Sequence, residues 1–142
     1  MGKIVGFALM PHPLAMVSEI GRVEIKNLQK TIKAAEQTAQ RIKEENPQTV
    51  ILMTPHGQVC PDAVTIAVQP RVRGHLAEGG VHEVNLGFDC DIQFVNQLII
   101  KADKYGINLD KSINSSLDYG ALVPLYFLHK AGYRGSIVYL SI

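Results

Sequence analysis

Apolar residues occur along the chain in two arrangements, short runs and longer stripes in which they recur every three or four positions. The runs lie at residues 3–10, 49–53, 64–68 and 136–142. Runs of this kind are typical of strands that are covered by other elements. The stripes predict helices, because a spacing of three and four residues places the apolar side chains on one face. Strands that alternate with helices predict an α/β fold with a mainly parallel central sheet.

Three helices are predicted from the stripes and from the residues at their ends. The apolar residues of the first stripe are Ile25, Leu28, Ile32, Ala35, Ala39 and Ile42. Pro47 ends this helix, because the residue before a proline is pushed away from the helical conformation. A second helix is predicted to begin after its cap Asp91 and to end before Gly106. A third is predicted to begin near Gly120, with Pro124 in its first turn.

Two parts of the chain carry no regular pattern. Residues 70–89 are interrupted by four glycines, and we interpret them as a surface excursion rather than a mobile loop near a site. The residues that follow Gly106 are rich in Asn, Asp and Ser, and they are predicted to form a loop.

Two histidines occupy equivalent places in the predicted fold. His12 follows the run at 3–10 directly, and His56 follows the run at 49–53. Strand, helix and strand form a βαβ unit, so these two strands should be parallel neighbours and bring both imidazoles to one sheet edge. Neutral imidazole is the commonest metal ligand, which makes the pair a candidate metal site. The alternative is that each histidine is a hydrogen-bonded loop residue.

A catalytic metal usually needs a third protein ligand, and the sequence offers only weak candidates. Asp62 follows His56 by six residues and Asp118 precedes the third helix, but a turn residue and a helix cap are the favoured interpretations. Tyr119 lies where a polar loop enters an apolar helix, and its hydroxyl is able to donate to a bound oxygen. A half-buried tyrosine is the alternative. His75, His82 and His129 have weaker claims.

Composition and charge exclude several classes of protein. Lys and Arg number 14 against 13 Asp and Glu, a net charge of +1 that does not fit a dedicated nucleic-acid binder. No apolar run approaches the roughly 18 residues of a membrane span, and the start resembles no secretion signal. Cys60 and Cys90 form no metal-binding spacing and are expected to be reduced thiols rather than a disulfide. A cytoplasmic location is expected.

The three unusual segments occur in a fixed order: Met10-Pro11-His12-Pro13, Thr54-Pro55-His56-Gly57, and Leu-Asp-Tyr-Gly-Ala-Leu-Val-Pro-Leu at residues 117–125. Together they resemble the class III extradiol ring-cleavage dioxygenases, the protocatechuate-type family. The opening residues 1–6 and the long first helix resemble more closely the dioxygenase-like domain of AmmeMemoRadiSam system protein A, in which that domain precedes an AMMECR1 domain. The resemblance covers essentially all of this chain and about the first half of the family domain.

The resemblance implies a three-layer α/β/α domain that binds ferrous iron through two histidines and a carboxylate; some members use zinc and a third histidine. The two histidine ligands correspond to His12 and His56. The implied reaction inserts both atoms of oxygen into a catechol ring beside the hydroxyl-bearing carbons. Tyr119 stands where the family usually has the histidine of an Asp-His-Gly segment, and it is assigned to the substrate pocket. The family's acid–base histidine and third metal ligand lie in later stretches of the domain.

We therefore expect residues 1–142 to be the N-terminal portion of an extradiol-dioxygenase-like domain, incomplete as a catalyst, with a small aromatic substrate. The chain ends on an apolar strand, which adds to the expectation that the domain continues. Two alternatives stay open: a non-catalytic interaction module that keeps the fold, and a zinc-dependent hydrolase on the same scaffold. A homo-oligomer is expected, because unpaired strand edges and uncovered apolar faces favour association.

Overall fold

A computed structural model of the chain describes residues 2–21, 25–77 and 83–142. A short 3-10 helix at Leu14–Met16 precedes the regular elements. The helices are α1 (Ile25–Glu45), α2 (Ile92–Lys104) and α3 (Tyr119–Lys130). The strands are β1 (Thr49–Thr54), β2 (Val64–Ala67), β3 (Arg71–Ala77), β4 (Glu83–Asp89), β5 (Leu109–Ser112) and β6 (Ser136–Ser141).

The main sheet has the strand order β1-β6-β2-β5. β1 pairs with β6 in parallel, from Thr49 with Ser136 to Thr54 with Ser141, and β2 pairs with β5 in parallel. β2 and β6 run antiparallel. β3 and β4 form a separate antiparallel hairpin. The predicted α/β class with a mainly parallel sheet is confirmed, and the antiparallel pairing of β2 with β6 makes the main sheet mixed.

Helices cover both faces of the main sheet, and β6 shows how the two faces are separated. Ile137 and Tyr139 belong to the larger core, which α1 and α3 also form. Val138 and Leu140 belong to a smaller core with Val95 of α2. Successive side chains of a strand point to opposite faces, so one strand supplies both cores. The layers are therefore α1 with α3, the sheet, and α2.

The run at residues 3–10 does not form a strand, and this prediction was wrong. Residues 2–13 have neither helical nor strand structure. The exposed fractions of Ile4, Phe7 and Leu9 are 72%, 93% and 99%. An apolar run becomes a strand only where a neighbouring backbone pairs with it, and the pairings found for β1 are with β6 alone. The predicted βαβ unit is therefore absent from the described residues.

The segment that follows His12 is nevertheless fixed to the body of the protein. Met16, Val17 and Ile20 are buried in the larger core. The Tyr126 hydroxyl of α3 donates to Glu19 at 2.6 Å and lies 2.7 Å from the Ser18 hydroxyl. These contacts anchor the chain a few residues after His12, so the position of that histidine does not depend on a strand before it.

The stretch 70–89, predicted as a surface excursion, contains β3 and β4, so that prediction was also wrong. Its glycines interrupt an alternation of buried and exposed side chains, in which Val72, Leu76 and Phe88 are buried. Gly74 has a reason to be there, because a Cβ at this position would lie 2.5 Å from the Leu117 carbonyl oxygen. The loop predicted after Gly106 likewise contains β5.

The predicted helices and their caps agree with the structure. Asp91 accepts a hydrogen bond from the Phe94 backbone nitrogen at the start of α2, and Asp118 caps α3. Gly106 has a positive φ of 68°, as expected for the glycine after a helix. Pro124 lies further inside α3 than the first turn where it was predicted.

Cys60 and Cys90 are free thiols, as expected.

Within the part of the chain that the structure describes, no helix combines the length and the apolar character needed to cross a membrane.

Candidate functional site

His56 lies in a tight loop at the carboxyl end of β1. Its backbone nitrogen donates to the Thr54 hydroxyl at 3.2 Å. Gly57 follows, and a Cβ at that position would lie 2.5 Å from the Tyr139 hydroxyl oxygen and 2.7 Å from the Ser141 hydroxyl oxygen. Glycine is required there because the loop lies directly against β6. The close packing of the loop fixes the direction in which His56 leaves the sheet.

His12 lies next to His56, although 44 residues separate them in the sequence. The two Nε2 atoms are 2.9 Å apart, and the ring centroids are 4.8 Å apart with an interplanar angle of 64°. His56 is exposed and His12 is half-buried. The expected juxtaposition of the two imidazoles is therefore present, although a 3-10 helix and an extended segment produce it instead of two paired strands.

Tyr119, the first residue of α3, completes a cluster of three rings. Its hydroxyl lies 3.1 Å from Nδ1 of His56. The two rings stack, with centroids 4.6 Å apart and an angle of 29°, and the His12 ring is 5.8 Å from the tyrosine ring. The tyrosine is 42% exposed, so one side of the cluster faces solvent. A small molecule has access to this side.

Asp118 lies beside the cluster, but its carboxylate is occupied by hydrogen bonds. Oδ1 accepts from the backbone nitrogens of Gly120 and Ala121 at 2.6 and 3.2 Å, and from the Thr54 hydroxyl at 2.9 Å. Oδ2 accepts from the Tyr139 hydroxyl at 2.7 Å. Asp118 is thus the helix cap that was the favoured interpretation, and it ties α3 to β1 and β6.

Gly120 keeps the cluster compact. A Cβ at this position would lie 2.7 Å from the Thr54 hydroxyl oxygen, 2.8 Å from Oδ1 of Asp118 and 2.9 Å from Cδ2 of His56. The ring of His56 therefore packs against the backbone of the first turn of α3. A side chain here would displace the ring of His56 or the hydrogen-bonded groups of Thr54 and Asp118.

The remaining candidates lie apart from the cluster. Asp62 is in a turn, where its carbonyl accepts from the Asn108 side chain at 3.3 Å. His75 is exposed on β3, and His129 packs edge-on against Phe88. His82 lies outside the described residues. Nowhere in residues 2–21, 25–77 and 83–142 do three His, Cys, Asp or Glu side chains come close enough to hold one metal ion.

Sequence reasoning missed Thr54 and Tyr139, which hold Asp118 in place. Thr54 is 1% exposed and Tyr139 is 3% exposed. Burial, with the hydrogen bond and charge of Asp118 adding to it, raises the pKa of Tyr139 well above its usual range. The hydroxyl therefore stays protonated and remains a donor to the carboxylate. A signal was present, because both residues bear hydroxyl groups within largely apolar strands.

Comparison with known proteins gives two findings. The family described as the catalytic LigB subunit of aromatic ring-opening dioxygenase matches residues 6–141. Protein CA_C1420 of Clostridium acetobutylicum is 31% identical over 147 aligned positions, which cover 96% of this chain. The chain spans 31% of the length of that relative.

Proposed function

Because the chain belongs to the LigB family of aromatic ring-opening dioxygenases, we propose that His12 and His56 are two ligands of a catalytic metal ion that acts on a small aromatic diol. The observation that carries this proposal is the distance of 2.9 Å between the two Nε2 atoms. Dioxygenases of this family are generally metal-dependent, and ferrous iron is our first choice, with zinc as the alternative. We also propose that this chain corresponds to the dioxygenase-like domain that precedes an AMMECR1 domain in AmmeMemoRadiSam system protein A.

The donor set fits such an ion. Two imidazole nitrogens that bind one metal at about 2.1 Å and at right angles to each other lie about 3.0 Å apart. A tetrahedral arrangement would place them about 3.4 Å apart. In this structure the two Nε2 atoms lie 2.9 Å apart, at hydrogen-bond distance, and this spacing is close enough for one ion to bind both nitrogens. Iron that is held by two histidines and one carboxylate would keep positions open for further ligands.

The metal would supply the electronic chemistry by which oxygen and the diol react. The protein's own residues hold the imidazoles and shape the side from which the substrate enters. His56 is fixed by the Gly57 loop, and His12 is fixed by the buried segment that begins at Leu14. The exposed face of Tyr119 forms a wall beside them, against which an aromatic ring is able to stack.

A third ligand is required for ring cleavage, and we propose that it comes from another part of the full-length protein or from a second copy. Asp118 is an unsuitable third ligand, since four hydrogen bonds already satisfy its oxygens. Release of this carboxylate would uncap α3 and strip the buried hydroxyls of Thr54 and Tyr139 of their acceptor. This chain alone is therefore expected to bind metal weakly and to turn over little or no diol.

Metal content after anaerobic loading with ferrous iron or zinc tests the proposal. In equilibrium dialysis, which detects weak binding, the chain should bind the metal and the His12→Ala/His56→Ala double variant should not. His75→Ala is a matched control, because this histidine is also exposed but lies on β3 away from the cluster. Equal metal content in the wild type and in the double variant would overturn the assignment.

A non-catalytic role is the second candidate, and Tyr119 favours it. The phenol of a tyrosine is a poor proton carrier near pH 7, whereas the histidine usual at this place in the family is a good one. Assays of the full-length protein with fresh ferrous iron separate the two candidates. A yellow ring-opened product from a catechol supports the dioxygenase, and its absence with metal bound at both histidines supports the interaction module.

A further inference from the structure

We propose that Tyr119 is a positioning residue whose hydroxyl oxygen accepts the Nδ1 proton of His56 and thereby directs the Nε2 lone pair of that histidine to the metal. The inference rests on the proposed function and adds to it. The observation behind it is the distance of 3.1 Å between the Tyr119 hydroxyl oxygen and Nδ1 of His56. Nothing in the family match assigns this role to the residue.

The protonation of the imidazoles explains why this contact matters. A neutral imidazole carries one N–H donor and one acceptor nitrogen, so the partner of one nitrogen decides what the other can do. In the metal-free cluster the chain of hydrogen bonds can run in either direction. His12 donates to His56, which donates to Tyr119, or Tyr119 donates to His56, which donates to His12.

Metal binding is compatible with only one of these directions for His56. The Nε2 atom must offer its lone pair, so the proton must sit on Nδ1, and a nearby acceptor stabilises that tautomer. The Tyr119 hydroxyl is the group that the structure provides at this nitrogen. Its own proton then points elsewhere and is available to a substrate oxygen on the exposed side, so the pocket role expected for Tyr119 is compatible with this one.

The position of the hydroxyl is itself held by two features. The rings of Tyr119 and His56 stack at 4.6 Å, which restricts rotation of both side chains. Tyr119 also begins α3 directly after Asp118, whose carboxylate accepts from the next two backbone nitrogens and fixes the first turn. The acceptor is therefore built into a capped helix end rather than placed on a free loop.

The test compares Tyr119→Phe with Tyr105→Phe in the full chain. Tyr105 is 72% exposed and lies at the end of α2, away from the histidines, so it is a matched loss of one exposed hydroxyl. Two quantities are measured: the side-chain ¹⁵N chemical shifts of the histidines without metal, which report the tautomer, and the Zn²⁺ affinity by competition with a chelating dye. The melting temperature of each variant checks that it is folded.

Tyr119→Phe is expected to weaken Zn²⁺ binding by about 10- to 100-fold, the usual effect of removing a group that orients a metal-binding histidine. It should also change the ¹⁵N shifts of His56 and leave those of His129 unchanged. Tyr105→Phe should alter neither quantity. Unchanged Zn²⁺ affinity or unchanged His56 shifts in Tyr119→Phe would overturn the inference.

The two readouts also separate failure of this inference from failure of the proposed function. Suppose that the wild type binds no Zn²⁺ through His12 and His56. The proposed function then fails, and with it the positioning of a ligand. If the wild type binds Zn²⁺ and Tyr119→Phe binds it equally well, the metal site stands and only the role of Tyr119 is wrong.

Discussion

Replacement of Asp118 by alanine should destabilise the whole chain, because one carboxylate serves four donors. The substitution removes the cap of α3, at a cost of about 1 kcal/mol. It also deprives two hydroxyls of their acceptor, and those of Thr54 and Tyr139 are almost fully buried, at 1% and 3% exposure. A buried polar group that loses its partner costs about 1–3 kcal/mol.

The expected loss of unfolding free energy is therefore about 3–5 kcal/mol in total. It falls below the sum of the upper limits, because the Tyr139 hydroxyl has a second acceptor, the Ser116 carbonyl oxygen at 3.4 Å. A loss of this size is a large fraction of the stability of an ordinary domain.

Urea unfolding followed by far-UV circular dichroism measures the effect. With a denaturant slope of about 2 kcal/mol per molar, the midpoint should fall by about 2 M urea. Asp91→Ala is the control, because Asp91 also caps a helix, where it accepts from the Phe94 nitrogen at 2.9 Å and from the Thr49 hydroxyl at 2.5 Å. Thr49 is only half-buried, so this variant should lose about 1–2 kcal/mol.

Asp118→Asn distinguishes the cap from the buried network. The amide keeps an oxygen for the helix cap and for Thr54, but its nitrogen no longer accepts from Tyr139, so a loss of about 1 kcal/mol is expected. The reasoning is refuted if Asp118→Ala costs no more than Asp91→Ala. It is also refuted if Asp118→Asn is as unstable as Asp118→Ala, because retention of the cap would then make no difference.

Four further predictions follow from other parts of the structure. Gly57→Ala should lower both the melting temperature and the Zn²⁺ affinity, since its Cβ would meet the Tyr139 hydroxyl oxygen at 2.5 Å; equal affinity would contradict the close packing of this loop. Burial raises the pKa of the Cys90 thiol to about 11. A thiol reagent at pH 8 should therefore label the partly exposed Cys60 rapidly and Cys90 only after the protein unfolds, and mass spectrometry of the labelled peptides measures both. Burial also raises the pKa of Tyr139, so above about pH 10 the hydroxyl ionises more readily in the unfolded chain than in the folded one. The unfolding free energy should therefore fall as the pH rises above about 10, and Tyr139→Phe should reduce this fall in a curve of stability against pH. Self-association should be visible in light scattering and should decrease in Phe7→Ser, because Phe7 is 93% exposed within an apolar segment; a monodisperse wild-type monomer would contradict it.

Much of the fold could be predicted from local patterns, because those patterns act through neighbours in the sequence. The stripe of α1 and the cap residue Asp91 of α2 define helices through contacts only three or four residues apart. The run at 136–142 corresponds to β6 for a related reason, since its almost continuous apolar character requires cover on both faces. The hairpin β3–β4 escaped prediction because Gly74 and Gly87 interrupt its alternation. Gly74 is needed for a close approach to the Leu117 carbonyl oxygen that only the folded chain reveals.

The residues of the candidate site could be predicted from the sequence, but the way in which the fold brings them together could not. The places of His12 and His56 after apolar runs, and of Tyr119 before an apolar helix, predict these residues as site candidates, and the structure brings the three rings together. The expected cause, a strand at 3–10 beside β1, is not found. His12 lies next to His56 because the segment that follows His12 is anchored in the larger core.

The sequence by itself determined where helices begin and end, which runs are apolar, and which residues are candidates for a metal site. These properties depend on the side chains and on their nearest neighbours along the chain. Only the tertiary structure decided the polarity and order of the strands, the exposure of residues 2–9, and the use of Asp118 as a fourfold acceptor rather than a metal ligand. Each of these depends on groups far apart in the sequence, such as Thr54, Asp118 and Tyr139, whose hydrogen bonds exist only after β1, α3 and β6 have packed together.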